Sequence, residues 1–295
     1  MKRRKWGRWL LLASIAACMA MLVRHYVPLL FAPEIHARAA ILIDAQTGAV
    51  YYESNADEAL PPASMSKMMT ELLILEDVCS GKRRWNETVR ISSYAANVPG
   101  SKIGVKPKDT YTVRELFEAM VVHSANDAAV ALAEQASGTE SKFVTRMNQT
   151  AKKLGLSSGT VFANATGLPS ADIRGFQSAA AAGDTEMTAR DIAKLAARLV
   201  TDYPEVLDIT RKPQVTLART NLTLQATNLM LPGEAYAYSG NDGLKTGFTD
   251  EAGYCFTGTA MRGGRRLITV VMGTAAPEAR FVETGKLLTY GFARP

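Results

Sequence analysis

A chain of 295 residues with 47% apolar side chains is long enough for one large domain or two small ones with a real core. Its net charge of +6 does not mark a nucleic-acid binder: Lys2, Arg3, Arg4, Lys5, Arg8, Arg24 and Arg38 stand against the single acid Glu34 in residues 1–39, and from Ala40 onward the charges cancel. Of three histidines only His123 lies in the body, which excludes a zinc hydrolase built on several His ligands, and no metal or cofactor is expected.

Residues 1–39 read as a signal peptide or an N-terminal membrane anchor, with residues 40–295 as the catalytic body. A basic start precedes the apolar run Trp9 to Val23, which has the length of a signal-peptide core and falls short of a spanning helix. Ala37-Arg38-Ala39 has the small-x-small form of a cleavage site, although it lies far past the apolar run. An uncleaved anchor from Trp9 to Phe31 is the rival, with Arg24 inside it at a cost of about 2.5 to 3.5 kcal/mol. Ile15-Ala16-Ala17-Cys18 is similar to a bacterial lipoprotein box, and is weakened by the apolar residues that follow. Each alternative places the body outside the cytoplasm. Without the leader only Cys79 and Cys255 remain, expected as two separate buried thiols.

Ala40 to Asp44 and Ala49 to Glu53 are strand-like runs around Gln46-Thr47-Gly48, which predicts a hairpin that Pro61-Pro62 stops. Met65 to Glu76 carries Met, Leu and Ile at helical spacing, so Ser64 lies at a helix N-terminus with Lys67 one turn along the same face. Thr112-Val113-Arg114-Glu115 is a capping box opening a helix through Val122. Ala128 to Gln135, Lys142 to Leu154 and Thr188 to Val200 are further helices. Leu244 to Phe248, Gly253 to Ala260 and Arg266 to Met272 read as strands, and a helix from about Pro277 to Leu288 closes the body. Strands from both ends and helices between them imply one antiparallel sheet built from distant segments, with flanking helices and an inserted helical lobe.

Three strings can meet in the cleft between those lobes: Ser64-Met65-Ser66-Lys67, Ser124-Ala125-Asn126 and Lys245-Thr246-Gly247. They supply a hydroxyl nucleophile, an amine to take its proton, a polar bridge and a cation for an anionic substrate end, which is the chemistry of acyl transfer. Each alone is weak, since a capping Ser before an exposed helical Lys explains the first as well. Two decoys compete. Ser239-Gly240-Asn241 repeats the middle string but lies on the connection that leads to Lys245, so it brings nothing from the opposite lobe. Gly155-Leu156-Ser157-Ser158-Gly159 matches the nucleophile elbow of esterases, yet a helix rather than a strand precedes it, and His123 lies before the Ser instead of after it.

The ordered set resembles the D-alanyl-D-alanine carboxypeptidase branch of the low-molecular-mass penicillin-binding proteins, a serine DD-peptidase family; this kind of ordered motif set is a known signature of penicillin-binding proteins and class A β-lactamases. The likeness extends to Asp44-Ala45-Gln46-Thr47-Gly48, Pro62-Ala63-Ser64, Pro99-Gly100-Ser101, Ser124 through Ala128, Phe162 with Gly167-Leu168-Pro169, and Asp242 through Thr249. It implies a mixed α/β penicillin-binding, β-lactamase-like fold and hydrolysis of the bond between two D-alanines of peptidoglycan stem peptides, with β-lactams as covalent inhibitors. By the resemblance Ser64 is the nucleophile, a neutral Lys67 its base, and Ser124 the proton relay to the leaving amine. Asn126 holds the substrate amide, Lys245, Thr246 and Gly247 take the terminal carboxylate end, and the N–H groups of Ser64 and Phe248 form the oxyanion hole. The helix N-terminus and Lys245 are expected to lower the proton affinity of Lys67.

Three departures qualify the likeness. Ser170 to Glu186 is longer than the polar turn usual in the family and is expected as a mobile surface loop, with an altered cleft rim as the sharper alternative. Many relatives carry an Arg near the position of Thr227, leaving part of the carboxylate recognition open. Relatives often continue into a β-rich domain and an amphipathic C-terminal helix, whereas this sequence stops after the closing helix, so membrane attachment is assigned to the N-terminus. Two rival functions share the strings. A class A β-lactamase requires a Glu-x-x-x-Asn word between Asn126 and Lys245, and none is present; a non-catalytic penicillin sensor or wall-binding module usually carries several spanning helices.

Overall fold

The computed structural model describes residues 31–180 and 183–294. The readings of Trp9 to Val23 and of Cys18 therefore lie outside the described residues, and no described helix is long and apolar enough to cross a membrane.

A five-stranded antiparallel sheet organises the chain. Its strands are β1 (Ala39–Asp44), β2 (Val50–Ser54), β3 (Asn241–Thr249), β4 (Gly253–Arg262) and β5 (Arg265–Thr274), in the spatial order β2-β1-β5-β4-β3. β1 pairs with β5 from Ala39 opposite Met272 to Asp44 opposite Leu267, so the two ends of the sequence share one sheet as the strand pattern predicts. Every residue of β1 is buried, because the sheet is covered on both faces.

The period-2 alternation divides the apolar residues between those faces. Ala40, Leu42, Leu267 and Val271 pack with Phe281, Leu287 and Leu288 of the closing helix α6 (Ala279–Phe292). Ile41, Ile43, Ile268 and Val270 join the larger core that reaches α5 (Ala189–Asp202) and the inserted lobe. That lobe contains α1 (Lys67–Cys79), α2 (Val113–His123), α3 (Asn126–Ser137) and α4 (Glu140–Lys153). α1 is apolar nearly all round, which makes it the central helix, buried from Lys67 through Leu75. The capping box forms as expected: Glu115 N–H donates to Thr112 Oγ1, and Thr112 N–H to the Glu115 carboxylate.

Two expectations change. Cys255 is buried, but Cys79 is exposed, because it ends α1 where the helix leaves the core beside Glu205. The segments 170–180 and 183–186 are tied to the body at several points although most of their residues are exposed: Ile173 and Thr185 are buried, the Phe176 ring lies 5.2 Å from that of Tyr94, and Ala180 N–H donates to Glu140 at 2.9 Å. The anchor is the fully buried Glu140 carboxylate, which also takes Tyr94 Oη (2.9 Å) and Ala165 N–H (3.0 Å).

Candidate active site

Ser64 sits in a single 3-10 turn, Ala63–Ser66, that runs directly into α1. Ala63 adopts φ +48°, a left-handed conformation that costs an ordinary L-residue roughly 1 to 2 kcal/mol and turns the chain sharply before the nucleophile. One helical turn later Lys67 returns along the same face, with its Nζ 2.7 Å from Ser64 Oγ. Lys67 is fully buried, whereas Ser64 is half-buried and opens to the cleft. Burial first, and then the positive charge of Lys245, drives the Lys67 amine well below its ordinary proton affinity. Desolvation, more than the helix terminus named from sequence, is thus the main cause.

Lys67 Nζ also donates to the carbonyl of Thr166 at 2.9 Å. That carbonyl is fixed by Asn164, whose Oδ1 accepts from Thr166 N–H (3.0 Å), Thr166 Oγ1 (2.8 Å) and Gly167 N–H (2.7 Å). Gly167 lies so close to the nucleophile turn that a Cβ there would stand 2.0 Å from the Ala63 carbonyl oxygen and 2.4 Å from Ser66 Oγ. Its φ of +79° needs glycine as well.

The second string occupies the break between α2 and α3. Ser124 takes φ +63° as the C-cap of α2, and Asn126 opens α3. The segment from Pro99 holds this break in place. Asn126 N–H donates to the Ser101 carbonyl (2.7 Å), Asn126 Nδ2 to the Pro99 carbonyl (2.7 Å), and Ser101 Oγ to the His123 carbonyl (3.0 Å). Asp127 accepts from the N–H groups of Ile103, Gly104, Val105 and Ala128. Asn126 Oδ1 is buried with no partner among the described residues.

β3, the edge strand, brings the third string. Lys245 is 1% exposed, and its Nζ donates to Ser124 Oγ at 2.7 Å and to the Thr246 carbonyl at 3.2 Å. Burial lowers its pKa, and Glu71 opposes that fall. Thr246 Oγ1 donates to Thr227 Oγ1 at 2.7 Å, so the position that carries Arg in many relatives holds a hydroxyl against the third string. A guanidinium does reach this strand, but from α6: Arg280 donates to the Gly247 carbonyl at 3.2 Å and leaves its Nε buried without a partner among the described residues. Gly247 admits the edge strand to the nucleophile turn, since a Cβ there would lie 2.7 Å from the Pro62 carbonyl and 3.2 Å from Ser64 N. Phe248, 47% exposed, stacks on Tyr254 with ring centroids 4.3 Å apart.

All eight residues named from sequence, Ser64, Lys67, Ser124, Asn126, Lys245, Thr246, Gly247 and Phe248, belong to these three adjoining segments, and both decoys fall away from them. Ser157 is tied by its Oγ and N–H to Asp191, and Ser239 is exposed while Asn241 is buried against Asn228, Gly243 and Thr259. The sequence reading missed Thr166, Asn164, Arg280 and Glu71. Only Glu71 carried a signal, as the acid within the mainly apolar stretch Met68 to Leu75, one turn after Lys67.

A half-buried Ser beside a buried Lys from the helical lobe, facing a buried Lys from the sheet edge, defines the class: a penicillin-binding, β-lactamase-like fold. The chain belongs to the D-alanyl-D-alanine carboxypeptidase family, whose profile matches residues 29–276. It is 38% identical over 260 residues to the D-alanyl-D-alanine carboxypeptidase DacF of Bacillus subtilis, and 36% identical over 272 residues to DacC of Escherichia coli. In both cases the match covers 88% of this chain and 62% of the relative's length. Among solved structures it is similar to penicillin-binding protein D2 from Listeria monocytogenes in its ampicillin-bound form, with 40% identity, a TM-score of 0.77 and coverage of 88% of this chain and 98% of that one. PBP3 from Streptococcus pneumoniae gives 36% identity and a TM-score of 0.82, covering 88% and 74%.

Proposed function

We propose that this chain is a serine-type D-alanyl-D-alanine carboxypeptidase that removes the terminal D-alanine from peptidoglycan stem peptides and is acylated by β-lactams. The observation that carries this reading is the 2.7 Å approach of Lys67 Nζ to Ser64 Oγ, in a cleft where Lys245 from the facing wall meets Ser124 at the same separation.

The terminal carboxylate binds at Lys245 and Thr246, a group that an internal peptide bond lacks, and this selects the chain end. Neutral Lys67 takes the proton of Ser64 Oγ as that oxygen attacks the penultimate carbonyl carbon. The developing oxyanion is received by the N–H groups of Ser64 and Phe248, each donor worth some 3 to 4 kcal/mol. Gly247 supports this role by allowing the strand to lie against Ser64 N. Ser124 relays the proton held by Lys67 to the leaving nitrogen; the C–N bond breaks, D-alanine departs, and an ester on Ser64 remains. The free Asn126 Oδ1 suits a substrate amide N–H. Lys67, neutral again, takes a proton from water as that water attacks the ester carbon, and gives the proton to the departing Ser64 Oγ.

The same reading places the body on the outer side of the cytoplasmic membrane, with residues 1–39 as leader or anchor and residues 40–295 as the catalytic domain. Incubation of the purified protein with a diacyl-Lys-D-Ala-D-Ala peptide and with penicillin tests it. Release of D-alanine with slow loss of the penicilloyl adduct is expected. Rapid β-lactam turnover would make the chain a lactamase, and acylation without peptide hydrolysis would make it a sensor.

A further inference from the structure

Two buried lysine amines contribute to one site, yet neither forms an ion pair among the described residues. Lys67 contacts a hydroxyl and a carbonyl, and so does Lys245. With Lys67 neutral as the base, the charge required on Lys245 is still buried, and a buried charge without a compensating one is costly, which favours an acid in the same interior. The buried acids nearby are mostly committed elsewhere. Asp127 is saturated by four backbone N–H groups, Glu140 by Tyr94, Ala165 and Ala180, and Asp191 by Ser157 and Thr160. On α4, Arg146 is paired with Asp77 and Glu76. Glu71 remains. It is 1% exposed, lies one turn beyond Lys67 on the same helix face, and its Oε1 has no hydrogen-bond partner among the described residues.

We propose that Glu71 is a positioning residue that balances the buried charge of Lys245 and keeps the proton on it, as the cation that receives the substrate carboxylate. This rests on the acyl-transfer reading above. The charged groups facing Glu71 are Lys67 from its own helix and Lys245 from β3; Lys245 in turn faces Arg280 of α6, and Lys67 faces Asp127 of α3. Arg280 repels the proton on Lys245 and Glu71 retains it, so removal of the acid leaves the repulsion unopposed. Burial raises the Glu71 carboxyl by more than the two lysines lower it, to about 8, and burial lowers Lys245 to about 8, so the acid and the amine titrate together as a pair that shares a proton.

The test is the pH profile of kcat/KM for D-alanine release, with penicillin acylation measured in parallel, on purified wild type, Glu71→Gln and Glu71→Leu. The leucine variant fills a similar volume without leaving an unpaired polar atom. The alkaline limb is expected to move to lower pH by about one unit, a loss of roughly tenfold on that side, expressed in KM more than in kcat. Glu71→Asp, which keeps the charge, should return most of the limb. In a Lys245→Arg background, where the cation cannot lose its proton, the effect of Glu71→Gln on the limb should vanish. A folded variant with the wild-type limb overturns the proposal, as does failure of both Gln and Leu variants to fold, which would assign Glu71 to packing alone. Absence of D-alanine release and acylation in the wild type would instead sink the acyl-transfer reading.

Discussion

Lys245 Nζ and Ser124 Oγ, from opposite lobes and 121 residues apart in the chain, lie 2.7 Å from each other. Through this contact the sheet edge and the helical lobe share a hydrogen bond at the floor of the cleft, so neither lobe carries a working site by itself. The cation proposed to bind the carboxylate is thereby coupled to the group proposed to serve the leaving nitrogen. Ser124→Ala should therefore impair both binding and bond cleavage, with a fall in acylation of about 10² to 10⁴ for the lost proton relay. Stopped-flow acylation by a chromogenic cephalosporin measures it, and a rate within threefold of wild type would remove Ser124 from the mechanism.

The two lysines set opposite limbs of a pH profile. Lys67 must be neutral to act as base, and its depressed pKa makes that form available as pH rises through it. Lys245 must be charged, and its pKa is also lowered from 10.5, so binding fails as pH rises through that value. The rate of penicillin acylation should rise and then fall with pH, with the falling limb on the acid side of the ordinary lysine value of 10.5. A profile that keeps climbing to that value contradicts the assignment.

Gly167→Ala is a stringent probe of the wall behind Lys67. The added methyl would stand 2.0 Å from a backbone oxygen, which cannot move aside as a side-chain tip can, and φ +79° disfavours alanine. Displacement of the Thr166 carbonyl should follow, with loss of more than about 90% of acylation and destabilisation of at least about 1 to 3 kcal/mol. Thermal melting and penicillin labelling on the same sample separate the two effects.

Away from the cleft, Asp77 on α1 accepts from Arg146 on α4 at 2.6 and 2.9 Å, and its side chain is only 2% exposed. Asp77→Ala leaves the guanidinium without its inner partner and should cost about 3 kcal/mol in urea unfolding, while acylation per folded molecule stays unchanged. A loss below 0.5 kcal/mol, on the order of an exposed pair, would show that the bridge is dispensable.

The side chains of the site were legible because the chemistry prescribes residue types at fixed offsets: Ser64 and Lys67 one turn apart, then an inserted lobe, then Lys245. Strand alternation and the Thr112–Glu115 box gave the frame for similar reasons. What stayed hidden are groups without a side-chain signature. The Thr166 carbonyl could come from any residue, and the left-handed Ala63 is an alanine where glycine or asparagine would have announced the turn. Residues 170–186 looked like a solvent loop because their polar, alanine-rich composition does not show that Glu140 reaches Ala180 from another helix. Cys79 erred the other way, since helix periodicity does not reveal where α1 runs out of the core.

The pairing of β1 with β5 fixes a timetable for biosynthesis. A ribosome delivers Ala39 to Asp44, with β2 beside them, more than two hundred residues before Leu267 to Met272, so the other edge of the first strand waits open through that stretch of elongation. The edge strand bearing Lys245 docks through β4 onto that late strand, which means the nucleophile turn has no opposing wall until then. A nascent or truncated chain ending before β5 would hold Ser64 and Lys67 but be silent toward penicillin, so acylation can serve as a readout of completed folding.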